Sequence, residues 1–86
     1  MSHRVTKSRN AQRFLDKLLK QECSRIEDRL RRLQDNPVPQ DAKFIGRDRS
    51  EEMVFRYRIG DYRALYKVKG EIVLIVLIDK RSRVYD

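Results

Sequence analysis

The residues best suited to chemistry are basic ones that alternate along a hairpin-like stretch. From Met53 the apolar residues recur with period two, and Gly60-Asp61 forms a two-residue turn with Gly first, as a type II′ hairpin requires. Pairing across that turn sets Ile59 against Tyr62, Arg58 against Arg63, Tyr57 against Ala64, Arg56 against Leu65 and Val54 against Lys67. Met53, Phe55, Tyr57, Ile59, Tyr62, Ala64, Tyr66 and Val68 then share a face that turns to the core. Arg56, Arg58, Arg63 and Lys67 share the opposite face with no acid among them. Arg58 directly across from Arg63 costs a few tenths of a kcal/mol up to about 1. An anionic ligand would remove that cost, and the planar guanidinium fork suits phosphate oxygens. The competing reading is an ordinary solvent face, on which basic side chains also discourage edge-to-edge association. Four cations without an acid, and more basic residues downstream, favour the anion.

Those downstream residues are Lys80-Arg81-Ser82-Arg83-Val84-Tyr85, which follow directly on the apolar run Ile72 to Ile78. They either extend the anion site or form a solvated tail whose Val84-Tyr85 staples it to the sheet.

Composition narrows the partners. The 86 residues carry 21 Lys+Arg against 13 Asp+Glu, a net charge of +8, which makes a polyanion the default partner: nucleic acid, an anionic membrane surface or an acidic protein. One cysteine, Cys23, supports neither an intrachain disulfide nor a Cys-rich zinc site, so a reducing cytoplasmic setting is expected. A single histidine, His3, excludes a two-histidine nuclease or a His-based triad, and isolated glycines exclude a phosphate-binding loop. No apolar run follows Met1, so no signal peptide is expected. The seven-residue run Ile72 to Ile78 is far short of the ~20 residues a spanning helix needs.

These residues require a scaffold, and the periodicity of the chain supplies one. Ala11, Phe14, Leu15, Leu18 and Leu19 recur at helical spacing, and Cys23, Ile26, Leu30 and Leu33 continue the stripe. A single helix over 10–36 would overrun so small a core, so two helices in an antiparallel hairpin are expected, with the turn near Lys20-Gln21. Ser8 is the candidate N-cap of the first, and Ser24 with Glu27 a candidate capping box for the second. Asn36-Pro37-Val38-Pro39 ends the helices. Residues 37 to 52 read as a polar loop pinned to the core by Phe44 and Ile45. Three strands follow, with a second turn at Lys69-Gly70 and a last strand apolar on both faces, hence central or covered. Val5 and Thr6 are candidates for a short strand ahead of the first helix. The expected fold is α+β in a single domain over 1–86: an N-terminal helical hairpin packed on a small, mostly antiparallel twisted sheet.

At Arg58-Ile59-Gly60-Asp61-Tyr62-Arg63, with the closing Lys80-Arg81-x-x-Val84-Tyr85, the chain resembles the RelE/ParE toxin superfamily. The resemblance extends back through Lys43-Phe44-Ile45-Gly46 and the helices, so it covers nearly the whole chain. In the RelE branch it implies a ribonuclease that cuts messenger RNA in the ribosomal A site and is silenced by an antitoxin. The implied chemistry needs no metal or other cofactor: the 2′-hydroxyl attacks the adjacent phosphate in line. The acids past Met53 (Asp61, Glu71, Asp79 and Asp86) are scattered, which suits a metal-free site. The family's phosphate-stabilising positions match Arg63 and Arg81. Arg56, Arg58, Lys67, Lys80 and Arg83 would hold the RNA. Where well-known RelE enzymes carry two lysines on the first hairpin strand, this chain has Val54 and Arg56, and arginine cannot serve as a base. The histidine common at the Lys80 position is absent as well. Tyr85, its phenol acidified by Arg81 and Arg83, is then the candidate base or acid, with Lys80 in reserve. Competing readings on the same fold are a ParE-like gyrase inhibitor and an RNA- or ribosome-binding module without catalysis. In each the partner implied is an antitoxin, laying an acidic amphipathic helix or strand over the sheet and helices.

Overall fold

Ser8 ties the helical layer to the sheet. In the computed structural model, which describes residues 2–80, strand β1 (Arg4–Lys7) runs directly into Ser8, and helix α1 (Arg9–Asp16) starts after it. The Ser8 hydroxyl accepts from the Ala11 amide at 3.1 Å, the expected cap, and donates to the Val76 carbonyl at 2.7 Å. Its own amide donates to the Ile75 carbonyl at 2.8 Å.

Helix α2 (Lys20–Arg31) follows, and a short 3-10 turn (Arg32–Gln34) extends it. Two helices were expected and two are present, but the break falls at 17–19. Leu19 takes an extended conformation as N-cap, with no side-chain cap. Ser24 therefore lies inside α2 and caps nothing. Leu19, assigned by spacing to the buried stripe, is 73% exposed, because the chain leaves helical geometry just before it. Nor is the helical pair N-terminal, since β1 precedes it. No helix among the described residues is long and apolar enough to cross a membrane.

Four more strands complete one sheet: β2 (Ala42–Arg47), β3 (Met53–Ile59), β4 (Tyr62–Lys69) and β5 (Ile72–Lys80). Their order is β1-β5-β4-β3-β2, antiparallel throughout except for β1 against β5. The β3–β4 register is the expected one, from Ile59↔Tyr62 to Val54↔Lys67. Gly60 and Gly70 both have φ +59°, which opens each two-residue turn. The second turn is Gly70-Glu71, one residue later than expected.

The stretch read as a polar loop contains β2. Phe44 and Ile45, expected to pin a loop, are 49% and 43% exposed on this edge strand. Phe44 still meets the Phe55 ring edge-on at 5.8 Å, while Ile45 falls at a bulge that breaks the β2–β3 register.

The core lies between helices and sheet. Ala11, Leu15, Ile26, Leu30 and Leu33 pack with Phe55, Tyr57, Ile59, Ala64, Tyr66, Val73, Ile75 and Ile78. A bulge in β5 explains why Ile72 to Ile78 shows no alternation. Leu65 pairs with Leu77 but Tyr66 with Ile75, so Val76 is the extra residue and the inward phase shifts from Val73 and Ile75 to Ile78. Tyr66 is fully buried, and its hydroxyl donates to the Pro37 carbonyl at 2.8 Å, anchoring the chain where it leaves the helices.

Ser8→Ala removes a helix cap and a bond to the central sheet together. The expected loss is about 1–3 kcal/mol of unfolding free energy, measured by urea denaturation. An unchanged midpoint would show that the seam is held elsewhere.

Candidate nucleic-acid interface

The β3–β4 hairpin places Arg56, Arg58, Arg63 and Lys67 on the face away from the helices, as the alternation requires. Their surroundings differ from the expected open basic row. Arg63 is completely buried, and its Nη1 donates to the carbonyls of Tyr62 at 3.1 Å and Gly60 at 3.4 Å. The hairpin alone could not reveal this, because β4 is paired on both sides. Arg63 stands across from Arg58 on β3 and from Asp79 on β5. The like-charge pair is real in register, but a carboxylate stands on the far side of it.

Lys67 is likewise not an open cation. It forms ion pairs with Asp48 and with Glu52, the latter at 3.1 Å, and Lys69 pairs with the other Glu52 oxygen at 2.9 Å. The acids belong to the β2–β3 connection. Asp48 Oδ1 also accepts from the amides of Ser50 at 2.9 Å and Glu52 at 3.0 Å, folding the loop so that both carboxylates meet the lysines. The expectation of a face without acids is thus corrected at this end.

The titration of this cluster follows its hydrogen bonds. Lys67 holds the Asp48 carboxyl below its usual range, and Lys69, then Lys67, do the same for Glu52. Asp48, then Glu52, raise Lys67.

The other end of the hairpin is open. Arg29 of α2 lies over the Tyr57 ring, 5.1 Å from its centre. Its Nη2 donates to Asp41 at 3.1 Å and to the Arg58 carbonyl at 3.2 Å. Arg29, Asp41, Lys43, Arg56 and Arg58 border a groove of about 570 Å³. Lys43 stands directly across from Arg56 in the β2–β3 register. Arg56 and Arg58 were singled out by sequence; Arg29 and Lys43 were not. Arg29 sits between the core residues Ile26 and Leu30, where a helical cation reads as ordinary surface. Lys43 lies in a strand that sequence reading took for loop.

Lys80 is exposed at the end of β5, across from Tyr62. Arg81, Arg83 and Tyr85 lie outside the described residues.

The pH dependence of the acid–lysine cluster follows in sign. Asp48 and Glu52 have lowered folded pKa values, so their contribution to stability is complete above the carboxylate range and lost as pH falls through those values. Lys67 has a raised value, so its contribution is present below the ordinary lysine range and lost as pH rises through the folded value. NMR titration of the Ser50 and Glu52 amides is expected to give a midpoint below that of an ordinary aspartate. Asp48→Asn abolishes the transition at the Ser50 amide and leaves the Glu52 amide to report the Glu52 carboxyl alone; an ordinary midpoint at Ser50 would contradict the ion-pair geometry.

Comparison with known proteins places this arrangement. A family model described as the ParE toxin of type II toxin-antitoxin system, parDE, matches residues 5–85. No curated protein matches the sequence significantly. Among solved structures, the archaeal RelE–RelB complex from Pyrococcus horikoshii OT3 aligns at 26% identity and a TM-score of 0.81, over 98% of this chain and all of that one. The toxin–antitoxin complex RelBE2 from Mycobacterium tuberculosis aligns at 25% identity and 0.78, over 94% of this chain and all of that one. A double Arg→Ala mutant of Escherichia coli RelE in the free state shares the fold at 18% identity and 0.72, over 93% of this chain and 84% of that one. With the family model spanning nearly the whole sequence, the chain belongs to the ParE toxin family of the RelE/ParE superfamily, the toxins of type II toxin–antitoxin systems.

Proposed function

We propose that this toxin is a ribosome-dependent, metal-independent messenger-RNA endonuclease held inactive by a cognate antitoxin. The observation that carries the reading is the basic groove at the hairpin tip, where Arg56, Arg58 and Lys43 meet with one carboxylate, Asp41, already engaged by Arg29. Whole-chain likeness to two RelE toxins at 25–26% identity, each in complex with an antitoxin, supports both the activity and the partner.

In the proposed reaction the 2′-oxygen forms a bond to the adjacent phosphorus while the bond from phosphorus to the 5′-oxygen breaks. The products are a 2′,3′-cyclic phosphate and a 5′-hydroxyl. The proton leaving the 2′-hydroxyl is taken up by a base, and a proton is delivered to the departing 5′-oxygen. Tyr85 is assigned to proton transfer and Arg81 to the charge that develops on the phosphorane. Arg56, Arg58, Lys80 and Arg83 are assigned to the RNA backbone. Buried Arg63 acts through its neighbours, as a positioning residue for the hairpin tip. Lys67, committed to Asp48 and Glu52, is left out of the RNA site.

A second reading has its own support, since the matching family model is that of ParE toxins. It makes the target DNA gyrase and requires no nuclease chemistry. Translation of a reporter message in vitro, with 5′ ends mapped by primer extension, separates the two. The nuclease reading expects discrete codon-spaced cuts. These weaken by about 10²–10³ in Arg81→Ala, the usual loss for one charge-stabilising donor, and by about 10²–10⁴ in Tyr85→Phe. Arrest without cuts points to a binding module. No effect on translation, with inhibited gyrase supercoiling, establishes the ParE reading instead.

A further inference from the structure

Helix α1 carries its cations at a cost to its own stability. Arg9, Arg13 and Lys17 are all exposed and stand four residues apart, so they form one row on the side away from buried Ala11 and Leu15. Side chains at that spacing are direct neighbours, and like charges there repel. Arg9 also opens the helix, where the macrodipole disfavours a cation, and the first turn holds no acid to offset it. The carboxylate beside the row, that of Asp16, accepts instead from the Gln12 amide at 2.9 Å. None of the three cations forms an ion pair among the described residues, whereas Arg29 and Arg31 of α2 reach Asp41 and Asp28. The row is also held in place. Ser8 both caps α1 and donates to the Val76 carbonyl, which fixes the start of the helix on the sheet.

We infer that the outer face of α1 is a docking surface for the phosphate backbone of double-helical RNA, a role that goes beyond the function proposed above and does not depend on it. This face lies on the helical side of the molecule, opposite the sheet face that carries Arg56 and Arg58. A polyanion relieves each unfavourable term at once: both like-charge neighbours and the cation at the helix start. The row repeats every four residues, about 6 Å along the helix axis. A regular repeat of that kind suits a phosphate backbone better than the irregular carboxylates of a protein surface. The face is convex, and Gln12 and Asp16 beside the row are polar, so no ring is offered for the bases of a single strand to stack on. Nor does it carry the apolar residues with which a basic helix enters a lipid interface. Double-helical RNA is recognised mainly by its shape and by its phosphates and 2′-hydroxyls, which polar side chains on a fixed helix can meet without reading a base. Placed this way, α1 holds structured RNA while the sheet face stays free for a single strand.

The probe is a fluorescent, blunt-ended RNA duplex, titrated with the full chain over a series of salt concentrations. Arg9→Gln combined with Arg13→Gln is expected to reduce the slope of log affinity against log salt by about 1.8, about 0.9 for each lost duplex contact. Lys17→Gln alone reduces it by about 0.9. Arg31→Gln, which removes an exposed cation already paired with Asp28, leaves the slope unchanged. Thermal melting by circular dichroism is expected to place the α1 variants at or above the parent's midpoint, because each relieves a like-charge neighbour. A fall in both would show that the row serves the fold, and overturns the surface. An unchanged slope in the α1 variants also overturns it, as does an equal fall in Arg31→Gln. Variants that keep the duplex but lose phosphatidylglycerol vesicles assign the face to lipid instead; those that keep the duplex but lose the antitoxin assign it to an acidic protein. Binding the duplex requires no cleavage, so the two readings fail separately. A chain that binds it through α1 but cuts no message sinks the nuclease alone. A chain that cuts, and whose α1 variants bind the duplex as the parent does, sinks the surface alone.

Discussion

The pairing of β4 on both of its edges is the constraint from which the rest of the structure follows. β3 joins it through a two-residue turn, which fixes the alternation so that Phe55, Tyr57, Ile59, Ala64 and Tyr66 all face the helices. β5 joins it from the other side and brings the seam residue Val76, on which Ser8 anchors α1. The same double pairing puts Arg63 in the middle of the sheet, between Arg58 and Asp79. A guanidinium there is removed from water, and burial of a charge is tolerable only among acceptors and opposite charge. Two carbonyls of the turn supply part of that, so Arg63 holds the hairpin tip on which Arg58 is displayed.

This arrangement divides the cations by whether the fold has already neutralised them. Lys7 reaches Glu27, Arg31 reaches Asp28, Arg29 reaches Asp41, and Lys67 and Lys69 share Asp48 and Glu52. Such partly exposed pairs add little to stability singly. Their larger effect is on the external field. They cancel charge wherever they occur, so the field is set by the cations that remain. Among the described residues Lys43 and Arg58 are two exposed cations with no carboxylate partner, and the sheet places them at one corner.

The β3–β4 hairpin was legible in the sequence because a short turn opened by glycine leaves a single register, and an error of one residue would have exposed Phe55, Tyr57 and Ile59. The cap at Ser8 was legible for a similar reason, being local. What could not be read depends on residues far apart in the chain. Lys67 and Glu52 are separated by 15 positions, and the loop that carries Glu52 and Asp48 has no periodicity. β2 was missed because Lys43, Gly46 and Arg47 are poor strand formers, and its bulge at Ile45 disrupts the alternation that would have marked it. The burial of Arg63 required knowing that β5 pairs beside it with Asp79 in register. The bulge at Val76 that sets this register leaves an unbroken apolar run with no phase to read.

The same reasoning explains why the fold alone does not select a target. A five-stranded sheet under two helices is shared with the RelE structures that this chain matches, and its core residues would serve a gyrase inhibitor as well as a ribonuclease. What distinguishes one target from another is then to be sought where the core places no demand, which under the reading proposed above means the exposed cations. A nuclease needs its charges preorganised around one phosphate, whereas a protein-binding toxin needs only a complementary surface. Here the chain spends Arg29 to fix both the β3 tip and Asp41, and holds Arg63 beneath that tip. Two buried or half-buried guanidiniums thus support one exposed corner, an arrangement that favours the phosphate-directed reading proposed above over a loosely complementary protein surface.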